Sequence, residues 1–126
     1  MENEFFTAAA DIIIKHLNKG FTEVSRAPGP FAFSEEGYVK EILKASGFKN
    51  VKVDKVYSLI TTNDSAVKDG NLLFNIGLAG RLLSEENISE EELSVIKDKI
   101  IVMCQNRQEN GKINYKACLN FVSATK

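Results

Sequence analysis

With 126 residues, of which 44% are hydrophobic and 26% charged, the chain has the size and composition of one compact domain with a real core, neither disordered nor fibrous. Sixteen basic side chains face seventeen acidic ones, which gives no electrostatic ground for nucleic acid or an anionic membrane as partner. The apolar runs fall far short of the ~20 residues of a bilayer-spanning helix, and the acidic start Met1-Glu2-Asn3-Glu4 is unlike a secretory signal.

A cytoplasmic location is therefore expected, with no membrane partner. Cys104 and Cys118 are read as reduced core thiols, having no nearby histidine to complete a metal site. The N-x-S triplets at Asn63 and Asn87 mean nothing without secretion.

In chain order, Phe6, Ala9, Ala10, Ile13, Ile14 and Leu17 fall at helical spacing. His16 and Lys19 suit the carbonyl end of that helix, and Gly20 is the expected left-handed stop. Pro28 and Pro30 then forbid a regular helix and predict an extended loop. Ser34 has the character of an N-cap, with Glu35 and Glu36 in the first turn. Val39, Ile42 and Leu43 form the buried stripe of a second helix that ends at Gly47.

Val51, Val53, Tyr57 and Leu59 share one parity and predict a strand with a solvated face. The polar stretch 61–70 reads as a loop, and Leu72 to Leu83 as one mostly buried helix that Gly77 and Gly80 weaken. Ser89 and Glu92 have capping-box spacing, ahead of a helix carrying Leu93, Ile96, Ile100 and Met103. Asn110-Gly111 is a turn signal. The last strand, 113–124, places Ile113, Tyr115, Ala117, Leu119 and Phe121 on one face and Cys118, Val122 and Ala124 on the other. A strand apolar on both sides belongs inside a sheet with cover above and below.

The residue types that carry chemistry have simpler roles here. His16 suits an exposed position complementing the helix dipole better than that of a general base. Glu85, Glu86, Glu90, Glu91 and Glu92 read as cap and first-turn charges without calcium-loop spacing. Ser25, Ser58 and Ser123 lack a histidine or glycine elbow. Arg26 and Arg81 have no glycine-rich nest beside them and read as surface charge.

The segment Pro28-Gly29-Pro30-Phe31-Ala32-Phe33-Ser34, a helix, and then Ala45-Ser46-Gly47-Phe48-Lys49-Asn50-Val51 resembles a region of class I S-adenosylmethionine-dependent methyltransferases. There a P-G-P-F-A-F stretch leads a helix ending in A-G-F-x-x-V. Asn3-Glu4-Phe5-Phe6 resembles the N-P-W-F stretch preceding this loop in a bacterial subgroup, with Glu4 in place of the proline and Phe5 in place of the tryptophan. The likeness continues through Asn75-Ile76-Gly77-Leu78-Ala79 and the final strand, and so covers essentially the whole chain.

The resemblance implies an α/β fold in the form of an α+β-like fragment: four main helices on an antiparallel strand pair, the C-terminal part of a Rossmann-like sheet completed by a partner chain. Residues 1–126 would be a single partial domain without the N-terminal cofactor-binding subdomain. Methyl transfer needs a glycine-rich turn for close backbone approach and a carboxylate for the ribose hydroxyls. The eight glycines include no G-x-G, and only 27 residues precede the proline loop.

No cofactor is therefore expected on this chain alone, although the complete family enzyme uses S-adenosylmethionine. No catalytic and no metal-binding residue is assigned. Phe5, Phe6, Pro30, Phe31 and Phe33 are the candidate substrate-binding residues, because the matching loops of the family border the active site; core packing around a proline turn is the alternative. A final strand without its inner neighbour implies association, as a homodimer or with a separately encoded N-terminal half. Three functions follow: an inactive methyltransferase fragment, the acceptor-side subunit of an active two-chain enzyme, or a dimeric module binding protein or a small apolar ligand.

Overall fold

The computed structural model describes residues 2–20 and 26–126; Met1 and Ser25 of the readings above lie outside the described residues. Five helices and three strands follow in the order α1 (Glu4–His16), α2 (Glu36–Ala45), β1 (Lys49–Thr62), α3 (Ala66–Asn75), α4 (Gly77–Ser84), α5 (Glu90–Arg107), β2 (Gln108–Glu109) and β3 (Lys112–Thr125). The fold is mixed α/β, with one antiparallel sheet in the order β1-β3-β2.

The Asn110-Gly111 signal produces a hairpin. Both residues take positive φ, 50° and 75°, as the two-residue turn matching the twist of paired strands requires. Gln108 pairs with Ile113 and Glu109 with Lys112. Near the other end of β3 the Asn50 amide donates to Thr125 Oγ1 at 3.1 Å. Thr61 of β1 donates to Asn114 of β3 at 2.7 Å.

The chain forms two compact units, Met1–Phe21 with Leu59–Ala117 and Thr22–Ser58 with Cys118–Lys126. The core of the first draws Ala9 and Ile13 from α1, Leu73 from α3, Ala79 from α4 and Ile96, Ile100 and Cys104 from α5. They close on Ile113 and Tyr115 of β3. Ser89 caps α5 as expected, its hydroxyl accepting from Glu92 N–H at 3.2 Å. In the second unit α2 ends in a left-handed turn. Gly47 has φ of 84°, and Phe48 N–H bonds back to Leu43 O at 3.0 Å, the pairing that satisfies carbonyls left over at a helix end.

Several sequence expectations are corrected. Four main helices on a strand pair become five helices on three strands, because the 72–83 segment is not one helix. Ile76 takes an extended conformation between α3 and α4, and Gly77 opens α4 with φ of 59°, a geometry glycine adopts without a Cβ penalty. The predicted loop 61–70 holds the end of β1 and the first turns of α3, capped by Ser65, whose hydroxyl accepts from Lys68 N–H.

The left-handed stop of α1 is Asn18, with φ of 51°, rather than Gly20; asparagine is among the few side chains that tolerate it. Glu35, not Ser34, is the N-cap of α2. The proline loop is turned rather than extended: Ala32 N–H reaches Gly29 O and Ser34 N–H reaches Phe31 O, and Pro30 sits where a fixed φ suits a β-turn. The final strand is not covered throughout. Ile113, Tyr115 and Ala117 are buried, whereas Leu119 and Phe121 are 50% and 61% exposed.

The approach of α3 to α5 supplies a test. A Cβ on Gly70 would meet Ile101 Cγ1 at 2.5 Å and its Cα at 3.0 Å, whereas one on Gly37 would meet open space. Gly70→Ala is expected to destabilise the chain by about 1–3 kcal/mol through overpacking. Gly37→Ala, in the first turn of α2, is expected to stabilise it by about 0.5 kcal/mol. Urea unfolding of the two variants should show opposite signs.

Candidate functional site

In the second unit α2 presents Val39, Ile42 and Leu43 along one stripe, and the turn after it adds Phe48. These side chains, with Phe33 from the proline loop and Val122 and Ala124 from β3, wall an open cleft of about 500 Å³. Asn120 is the one polar side chain among its described lining residues. The Asn120 Nδ2 hydrogens go to the carbonyls of Phe33 at 3.0 Å and Ser34 at 3.3 Å, so the amide holds the loop against the strand. Phe33 stacks on Tyr38 with ring centroids 6.3 Å apart. The Arg26 guanidinium lies 4.6 Å from the centre of the Tyr38 ring and is gripped by Glu35 Oε2 at 2.7 Å. Arg26 itself has φ of 66°, a conformation uncommon for a side chain of that size.

The first unit contains a buried polar cluster instead. Tyr115 is fully buried and Asp69 is 3% exposed. The tyrosine hydroxyl donates to Asp69 Oδ2 at 2.9 Å, and Thr62 Oγ1 donates to the same oxygen. Cys104 Sγ lies 3.5 Å from the tyrosine oxygen. Burial pushes the tyrosine hydroxyl well above its ordinary pKa, helped by its bonds to Cys104 and Asp69. Burial likewise raises the Cys104 thiol, against the lowering influence of the Tyr115 contact. Both groups therefore stay protonated, the opposite of what a nucleophilic thiol needs. The cluster ties β1, β3, α3 and α5 together.

Beside it, Glu4 Oε2 accepts from Arg107 Nη1 at 2.9 Å and from the backbone N–H of Lys116 on β3 at 2.9 Å. The Lys116 bond, more than Arg107, lowers the Glu4 pKa, with desolvation opposing.

The candidate substrate-binding residues divide between the units. Phe5 and Phe6 touch edge to face at 5.2 Å, and Phe5 also meets Tyr115 at 5.4 Å; both belong to the first unit. Pro30, Phe31 and Phe33 belong to the second. Pro30 is exposed, Phe31 half-buried, and Phe33 alone of the five lines the cleft.

His16 is not the exposed residue expected. Its side chain is 16% exposed and its Nε2 lies 3.4 Å from Glu92. Lys99 Nζ stands 2.8 Å from Nδ1. An ammonium can only donate, so Nδ1 accepts and the ring hydrogen sits on Nε2, toward Glu92. No group of His, Cys, Asp and Glu suited to a metal ion occurs among the described residues, and no helix is long and apolar enough to cross a membrane.

Sequence reasoning missed Asp69 and Asn120. Asp69 fell in a stretch read as loop, and Asn120 carried no signal until the strand register placed it under Phe33. No protein-family model, curated protein sequence or solved structure matches the chain.

Two measurements test the first unit. Tyr115→Phe removes a donor from a buried carboxylate and is expected to cost about 1–3 kcal/mol in urea unfolding. For Glu4 the lowered folded-state pKa means the carboxylate contributes stability above its unfolded pKa. That contribution is lost as pH falls through the folded value. Glu4→Gln should therefore lower the melting temperature near neutral pH and flatten its decline in the acid range. Parallel pH profiles for variant and parent would show the Glu4 reading to be wrong.

Proposed function

We propose that these residues form the acceptor-side portion of a class I S-adenosylmethionine-dependent methyltransferase, inactive alone and built to associate with a cofactor-bearing half. The observation that carries the reading is the order and pairing of its parts. A P-G-P-F-A-F loop leads into α2, α2 closes on Gly47-Phe48, and β1 follows directly from that turn. The final strand then returns antiparallel alongside β1, as the resemblance leads one to expect.

The chemistry of the cofactor supports inactivity. Holding a sulfonium nucleoside needs a close backbone approach at a glycine-rich turn and a carboxylate for its ribose. The chain has no G-x-G, and among the described residues no carboxylate lines the cleft.

Association is supported by the outer edge of β3. Among the described residues, β2 pairs only with Lys112 and Ile113, and the Glu4 carboxylate takes the Lys116 N–H. No described strand pairs with that edge farther along, and a strand edge left this way accepts another strand. Leu119 and Phe121 of β3 stand in solvent, apolar area that a partner removes from water. The partner in this reading is a polypeptide carrying the glycine-rich half, or a second copy joined strand to strand.

Calorimetry and light scattering test the proposal together. S-adenosylmethionine should give no binding heat with this chain alone. A polypeptide carrying the glycine-rich half of such a methyltransferase should form a defined complex with it. Tight cofactor binding by the isolated chain would overturn the proposal, as would a monomer that ignores the added half. Methyl transfer by the reconstituted pair would assign the chain to an active two-chain enzyme.

A further inference from the structure

We propose that the cleft between α2 and the end of β3 is a binding site for an uncharged apolar small molecule. This stands apart from the methyl-transfer reading, since it needs neither cofactor nor a second polypeptide. Its volume, about 500 Å³, lies in the range of ligand pockets. An apolar cavity of about 150 Å³ already takes a benzene, so a fused-ring or branched hydrocarbon has room here.

The wall fixes the class of ligand. Of its eight described side chains seven are apolar, and the eighth, Asn120, commits both amide hydrogens to the Phe33 and Ser34 carbonyls. Among the described residues of the wall, no side-chain donor is left for an anion. Arg26, which lies over the Tyr38 ring at the rim, is already paired with Glu35. Burying a charged ligand here carries a desolvation cost that no described side chain of the wall offsets.

The rim is also held in place before any ligand arrives. Phe33, 59% exposed, is fixed at its backbone by Asn120 and at its ring by Tyr38. The Leu43 and Phe48 walls are tied by the bond that closes α2. Preorganisation of this kind lowers the ordering cost of binding.

The test uses two dyes with one ring system, N-phenyl-1-naphthylamine, which is neutral, and 1-anilinonaphthalene-8-sulfonate, which is anionic. The neutral dye should give a saturable fluorescence rise at one site per chain, bound at least about tenfold tighter than the sulfonate. Phe33→Ala, at an exposed position, should weaken it about tenfold. Ala124→Phe, which fills the cleft, should abolish it. Val102→Ala, at an exposed residue of the first unit, should change nothing. Equal affinity for the two dyes, or binding indifferent to both cleft substitutions, overturns the proposal. So does dye binding that disappears as the chain self-associates, which would give the cleft to a second copy.

Discussion

Tyr115 is the side chain on which the first unit closes. Its backbone lies in β3, its hydroxyl donates to Asp69 of α3, and its ring edges against Phe5 of α1. The Arg107 guanidinium of α5 lies 5.6 Å from the ring centre, and Thr62 of β1 shares the carboxylate the tyrosine serves. One side chain thus couples two strands to three helices. Fully buried, it can do so only because each of its polar demands is met, since an orphaned hydroxyl or carboxylate at that depth would cost more than its packing returns.

The second unit uses another logic. Its helix α2 carries a single buried residue, Val39, while Ile42 and Leu43 stay half-buried above the cleft. Apolar surface is left open here on the helix, the loop and the strand alike, and Phe33 and Phe121 are each about three-fifths exposed. Exposed apolar area of this kind is unfavourable in an isolated chain and marks surfaces used for contact. The proposed association and the proposed ligand site both draw on that excess.

Local pattern made much of the fold legible. The α1 and α5 stripes, the Ser89 cap and the Asn110-Gly111 hairpin rest on interactions within a few residues, and each formed as its chemistry dictates. What stayed hidden depends on tertiary contact. Asp69 reads as a loop residue until Tyr115 and Thr62 give its carboxylate donors. The 72–83 segment is apolar enough for one helix, and only the conformation of Ile76 and Gly77 divides it. Of the candidate site, Phe33 and the α2 stripe were readable, but their meeting with Val122 and Ala124 follows from a strand register linking distant parts of the chain. Phe5 and Phe6, chosen by resemblance alone, meet edge to face in the first unit.

The Asn120 amide has a consequence for how the loop behaves in different media. Two tethers act on that loop: the Arg26–Glu35 ion pair, with both side chains more than a third exposed, and the neutral bonds from Asn120 to Phe33 and Ser34. Raising ionic strength screens the first and leaves the second nearly untouched. The aromatic rim is therefore anchored by the partner that salt does not weaken, and its shape is the same in dilute buffer and in a concentrated, ion-rich milieu.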